Sequence, residues 1–98
     1  MNQVCIAGKV ISEVEKSQGS TGIKIAKIKI AVDKVNKEQE VDNDEFEIVV
    51  FKDLADIKLN IGQYIAVNGK ISANNYVKDD KKYYNCSIIG NNISLLGN

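Results

Sequence analysis

The sequence predicts an all-β domain, a five-stranded Greek-key barrel with one short helix between its third and fourth strands. Apolar residues alternate with polar ones along most of the chain, and a period of two is typical of half-buried strands. Only the segment that begins at Asp53 has the three-and-four spacing of a helix. With 98 residues the chain has the length of one domain, so we expect residues 1–98 to form a single domain.

The first half of the chain predicts three strands. Alternation predicts the first strand at about residues 3–11, a turn over 17–22 and a long second strand over 22–32. The large aliphatic residues of the second strand change from odd to even positions near Ala26 and Lys27. This change indicates a β-bulge or a strand bent enough to serve two faces, as small closed barrels use.

The third strand follows a polar connection, residues 33–44, and is expected at about 45–51. It places Phe46 and Phe51 on opposite faces. Alternation alone does not say which of the two faces lies inside.

The second half of the chain predicts the helix and the remaining strands. Asp53 is a candidate N-cap and Gly62 a candidate C-terminal stop for a short helix between them. Next come a fourth strand at about 64–77, a polar turn at 78–81, a fifth strand at about 82–89, and a final segment, 93–96, that packs back onto the barrel.

This order of elements is that of the OB-fold. Three strands, a helix and two strands form its five-stranded Greek-key barrel, whose open face and loops bind oligonucleotides. The pattern of strands also leaves an SH3-like barrel and a small sandwich open.

Composition argues against enzymes and metal proteins. The chain has no histidine, so the commonest general base and the commonest metal ligand are both missing. The paired carboxylates Asp79–Asp80 and Asp42/Asp44 are interpreted as solvated turn residues. We therefore expect no catalytic activity, no cofactor and no metal site.

The cellular compartment is predicted from cysteines and from hydropathy. Cys5 and Cys86 belong to no zinc motif, and we expect both to be reduced and half-buried. No apolar run approaches the roughly 20 residues of a membrane span, and no signal peptide opens the chain. These observations predict a cytoplasmic protein without a membrane partner.

Charge is balanced overall but unevenly distributed. The 13 basic and 13 acidic residues cancel, so net charge does not predict a nucleic-acid partner. Lysines crowd residues 24–34, whereas acids dominate 38–47. A neutral protein carries a basic groove when its acids are segregated elsewhere.

Several stretches resemble the bacterial single-stranded DNA-binding protein family. They are Asn2–Val10, Gly22–Val32, Phe46–Phe51 with Leu54–Asp56, Gly62–Ile71, and then Tyr76, Tyr84 and Ile88–Ile89. The resemblance covers essentially the whole chain. It implies an OB-fold that binds and protects single-stranded DNA without reading its sequence, in replication, recombination, repair or DNA transfer.

The resemblance also suggests which residues bind DNA. Capture of any single strand needs flat side chains on which bases stack and cations along the backbone. The stacking candidates are Phe51, Tyr76, Phe46 and Tyr84, of which Phe46 fits a core position equally well. Tyr83 and Tyr84 fall on opposite faces, so only one of them is expected to touch DNA. The phosphate candidates are Lys9, Lys24, Lys27, Lys29, Lys52 and Lys70.

Two departures from the family pattern modify these expectations. The acidic stretch Glu38–Glu47, with Val35–Asn36 where relatives often place an aromatic residue, implies a lost stacking platform and a lower affinity or smaller site. The ending Leu96–Asn98 lacks the acidic tail of the family, so a minimal form without tail-mediated recruitment of replication enzymes is expected. The resemblance further implies a homo-oligomer, a homotetramer rather than a dimer.

Two other functions fit the same fold. One is a primosomal replication accessory protein that binds protein as much as DNA. The other is an OB-fold protein-interaction module without nucleic-acid binding. An unchanged tyrosine fluorescence on addition of oligo-dT would favour the interaction module.

Overall fold

A computed structural model describes residues 1–35, 37–39 and 41–97, apart from the side chains of Val35, Asn74 and Tyr84. The elements are β1 (Val4–Val10), β2 (Glu15–Gln18), β3 (Lys24–Val35), β4 (Val41–Phe51), a 3₁₀ helix (Lys52–Asp56), β5 (Tyr64–Lys78) and β6 (Lys81–Gly97). The predicted second to fifth strands correspond to β3, β4, β5 and β6.

The six strands form one sheet that closes on itself. Their order is β1-β5-β6-β4-β3-β2, and β1 also pairs with β3. Five strands therefore form a closed barrel, and the short β2 extends β3 on the outside. The predicted OB-fold is confirmed.

The barrel consists of two halves joined by two short seams. β3 and β4 pair along their whole length, from Ile25↔Phe51 to Val35↔Val41, and β5 pairs with both β1 and β6. Between the halves, the described residues give two register pairs at β1–β3 and two at the parallel contact of β4 with β6.

The core fills the barrel with branched aliphatic side chains. Ile30, Ile48 and Ile65 are fully buried, and each contributes roughly 1.5–3 kcal/mol of transfer free energy. They come from β3, β4 and β5, so both halves share one core. The cluster also contains Val10, Ala26, Ile28, Val50, Ala55, Val67 and Ile88.

The β-bulge predicted in the second strand is wrong. Each residue of β3 from Ile25 to Val35 pairs with one residue of β4 without a break. Ala26 takes the inward position and is fully buried, while Ile25 is half-buried on the outer face. The inward and outward positions of β3 alternate without interruption. The sequence suggests a change of face only because the inward residue Ala26 is small and the outward residue Ile25 is large.

The irregularities lie instead in β5. Its register against β6 shifts between Tyr64 and Ile65 and again between Asn68 and Gly69. A Cβ on Gly69 would lie 2.0 Å from the backbone oxygen of Ile89. Glycine is required here because the backbones of β5 and β6 approach too closely for any side chain.

The helix predicted from Asp53 to Gly62 is shortened to a 3₁₀ helix that ends at Asp56, and no side chain caps it. A segment this short gains too few hydrogen bonds to offset α-helix nucleation, and only Ala55 within it is buried. Gly62 belongs to a later turn, where its φ of +98° favours glycine.

Three other boundaries differ from the prediction. β3 and β4 extend into the expected connection 33–44, because a projecting ribbon is held by backbone pairing and needs no apolar alternation. Residues 93–96 continue β6, with Ile93 against the core and Leu95 and Leu96 exposed. β2 was not predicted, because all four of its residues are exposed and polar.

Candidate nucleic-acid interface

One row of outward-facing positions crosses four strands of the barrel, and Val49 within it is only 7% exposed. Lys27 of β3 pairs with Val49 of β4, Val49 with Ile89 of β6, and Ile89 with Lys70 of β5. We call these four residues the lysine row. Two apolar residues therefore separate the two cations along the curved wall of the barrel.

The neighbouring row contains a carboxylate. Lys29 pairs with Glu47, and Ser87 pairs with Ser72 across β6 and β5. The Ser87 hydroxyl donates a hydrogen bond to Oε1 of Glu47 across the β4–β6 seam, at 3.2 Å.

Two concave surfaces meet at these rows. Both are lined by Lys27, Lys29 and Glu47. One continues to Phe46 and Ser87, and the other continues along the segment 12–15. The groove that they form is therefore basic along β3 and acidic on both sides of it, since Glu45 lines the first surface and Glu13 and Glu15 line the second.

The two phenylalanines of β4 have different environments. Phe51 faces outward at the end of the strand, is 38% exposed and pairs with Ile25. Phe46 faces the same side as Ile48, is half-buried and packs against the core. The face that alternation left open is thus assigned: Phe51 offers a ring to solvent, and Phe46 mainly fills the barrel.

Two tyrosines form an accessible aromatic surface. The rings of Tyr76 and Tyr83 stack with centroids 5.1 Å apart and an angle of 14° between their planes. Their residues are 47% and 40% exposed. The pair lies near the end of the β5–β6 hairpin, on the same face of that hairpin as Lys70 and Ile89.

Tyr83 is the residue that the sequence reasoning passed over in favour of Tyr84. The hairpin turns through Asp79 and Asp80, with φ of 54° and 63°, which is typical of a two-residue type I′ turn. Such a turn fixes the register, and counting back from it pairs Tyr76 with Tyr83. The turn sequence was a usable signal. The side chain of Tyr84 lies outside the described part of the structure.

The six lysine candidates do not form one group. Lys24 forms an ion pair with Asp56 at 3.0 Å, which offsets its charge. Lys9 pairs with Tyr64 and lines a separate concavity. Lys52 is exposed directly after Phe51. Lys27 and Lys29 line the same groove, whereas Lys70 lies across β4 and β6 from Lys27.

The β3–β4 hairpin beyond the groove is acidic, and an ion pair on it joins Lys34 to Asp44 at 2.7 Å. The hydrogen bond from Lys34 to Asp44, helped by the charges of Asp44 and Asp42, raises the pKa of Lys34 above its usual value. The pair is exposed to solvent, so it contributes little to stability.

Other predicted features are placed as follows. Cys5 and Cys86 are both exposed, so their predicted half-burial is wrong. Within residues 1–35, 37–39 and 41–97, no group of three potential ligands is close enough to hold a metal ion. No helix in this described part has the length and hydropathy to cross a membrane.

Comparisons with known proteins identify the family and the fold of the chain. A family model described as the single-strand binding protein family matches residues 1–96. A structure described as Plasmodium falciparum SSB complex with ssDNA is similar over 99% of this chain and 94% of that chain, with a TM-score of 0.81 and 23% identity.

A deletion mutant of the single-stranded DNA binding protein from Thermus aquaticus is similar over 98% of this chain and 50% of that chain, with a TM-score of 0.77 and 19% identity. At these identities the structural likeness establishes the fold alone. No curated protein sequence matches the chain.

Proposed function

The chain belongs to the single-strand binding protein family, as the match over residues 1–96 establishes, and from this premise we propose that it holds single-stranded DNA against the outer wall of β3, β4, β6 and β5. The family consists of DNA-binding proteins without enzymatic activity. The observation that carries the proposal is the lysine row, in which Lys27 and Lys70 flank an apolar strip.

Aromatic side chains near the wall supply the base contacts in this proposal. Phe51 and the Tyr76–Tyr83 pair are exposed and lie on the outer face of β4 and of the β5–β6 hairpin. A base stacked on an aromatic ring contributes roughly 1–3 kcal/mol whatever its identity. Lysine holds phosphate as a point charge without reading bases, which suits binding of any sequence.

The assembly and cellular context follow from the family. Members are oligomeric, and we propose a homotetramer in which residues 1–98 of each subunit form one DNA-binding domain. We propose that it acts in the cytoplasm on DNA exposed in replication, recombination or repair.

A salt titration of DNA binding tests the proposal. Fluorescein-labelled oligo-dT is titrated with the protein at increasing salt, and the mass of the free protein is measured alongside. Each neutralised phosphate contributes about −0.7 to the log–log slope. Replacing Lys27 and Lys70 by alanine should reduce the slope by about 1.4.

The matched control is Lys58→Ala, which removes an exposed lysine outside the strands and should leave the slope unchanged. Binding that is absent, or that is insensitive to salt, would contradict the proposed function. Equal effects of the control and the double variant would show that the lysine row does not contact DNA.

A further inference from the structure

Glu47 occupies the centre of the proposed DNA path, and its side chain is held in place. It is half-buried and lines both concave surfaces together with Lys27 and Lys29. The hydrogen bond from Ser87 fixes its Oε1 at 3.2 Å. A strand of DNA that crosses this wall passes over a positioned carboxylate.

Among the described residues, no lysine forms a direct ion pair with this carboxylate. Ion pairs join Lys24 to Asp56 and Lys34 to Asp44. Lys29, the register partner of Glu47, is in neither pair. The second oxygen, Oε2, has no hydrogen bond within the described part of the chain, and a carboxylate can only accept.

We propose that Glu47 accepts a hydrogen bond from the exocyclic amino group of a bound base and so biases the protein towards cytosine over thymine. This inference rests on the proposed function. Cytosine presents the N4 amino group as a donor, whereas thymine presents the O4 oxygen, an acceptor, at the same position of its edge. At this position of the base, the carboxylate accepts a hydrogen bond from N4 of cytosine and repels O4 of thymine.

The charges around Glu47 favour a base rather than a phosphate at this point. Phosphates are repelled by the carboxylate and attracted by the lysines on either side, Lys27 and Lys29 on β3 and Lys70 on β5. With the backbone held at the lysines, the bases point across the wall towards Glu47. Stacking contributes affinity for any base, and the hydrogen bond to Glu47 adds a preference for cytosine over thymine.

The test is a ratio of dissociation constants. Labelled dC and dT oligomers of equal length are titrated with the wild type, Glu47→Gln and Glu47→Met, and circular dichroism melts confirm that each is folded. The ratio Kd(dT)/Kd(dC) should be about tenfold higher for the wild type than for Glu47→Met, the size of one charged hydrogen bond. Glu47→Gln keeps a carbonyl acceptor and should give an intermediate ratio.

The control is Glu45→Met, which removes an exposed carboxylate from the same groove and should strengthen the binding of both oligomers equally. If Glu47→Met does not fold, Ser87→Ala releases the carboxylate and should lower the ratio by a smaller factor. Binding of both oligomers with a ratio that Glu47→Met, or in its place Ser87→Ala, leaves unchanged would overturn the role of Glu47 alone. Failure of both oligomers to bind would overturn the proposed function together with it.

Discussion

The stacked pair of Tyr76 and Tyr83 gives the sharpest prediction about DNA binding, because its rings act together. The planes are 14° from parallel and the centroids 5.1 Å apart, so each ring covers one face of the other and leaves one face for a base. Tyr76→Ala, Tyr83→Ala and the double variant form a double-mutant cycle on this surface.

The magnitudes follow from this geometry. Each single substitution should weaken binding about tenfold, which corresponds to about 1.4 kcal/mol, within the roughly 1–3 kcal/mol of one stacked base. Loss of either ring also leaves the other ring less firmly held, since the interaction free energy of such a pair is about 0.5–1.5 kcal/mol. The double variant should therefore lose much less than the product of the two single losses.

Anisotropy of a labelled dT oligomer measures the cycle without relying on tyrosine emission. Tyr64→Ala is the matched control, because Tyr64 is 44% exposed but lies at the other end of β5, beside Lys9. It should bind as the wild type does. Two single losses that multiply in the double variant would show independent contacts, and an unchanged affinity in all three would refute stacking at this site.

Three further predictions concern Phe51, Gly69 and Lys34. Phe51→Ala should weaken dT binding by roughly 1–3 kcal/mol; a larger loss in the free energy of unfolding than in binding would assign the ring to packing. Gly69→Ala should lower the free energy of unfolding in urea by at least about 1–3 kcal/mol, because its Cβ would lie 2.0 Å from the Ile89 oxygen. Gly19→Ala is the control and should leave the free energy of unfolding unchanged, because the nearest contact of its Cβ is at 3.9 Å. The NMR-monitored pKa of Lys34 should lie above 10.5 and return to that value in Asp44→Asn. The stabilisation from this pair is fully present below pH 10.5 and is lost as pH rises through the folded pKa; an unchanged pKa in Asp44→Asn would contradict the assigned cause.

Alternation and turn residues predicted the barrel because both are local signals. The inward positions Ile28, Ile30, Ile48 and Val50 are read directly from the period of two in β3 and β4. The bulge was misplaced because a small inward Ala26 resembles an outward position. The close approach at Gly69 depends on a distant segment of β6, which no local pattern records.

The sequence predicted which types of side chain form the candidate site, but not how those side chains are placed relative to one another. Phe51 and Tyr76 are exposed on outer faces, as the resemblance implied, although their contact with DNA is still a prediction. The ion pair of Lys24 with Asp56 joins residues far apart in sequence and could not be foreseen. The hydrogen bond from Ser87 to Glu47 depends on the parallel pairing of β4 with β6. No pattern within the sequence of either strand predicts that pairing.

The short seams give the barrel two places where it can open. Among the strand pairings that close the barrel, hydrogen–deuterium exchange should be fastest at β1–β3 and β4–β6, where the described residues give two register pairs each, because local opening breaks few bonds there. The lysine row spans the β4–β6 seam, with Lys27 on one half and Lys70 on the other. A DNA strand bound to both lysines would link the two halves of the barrel. It should therefore slow amide exchange at the β4–β6 seam, even for amides that the DNA does not contact.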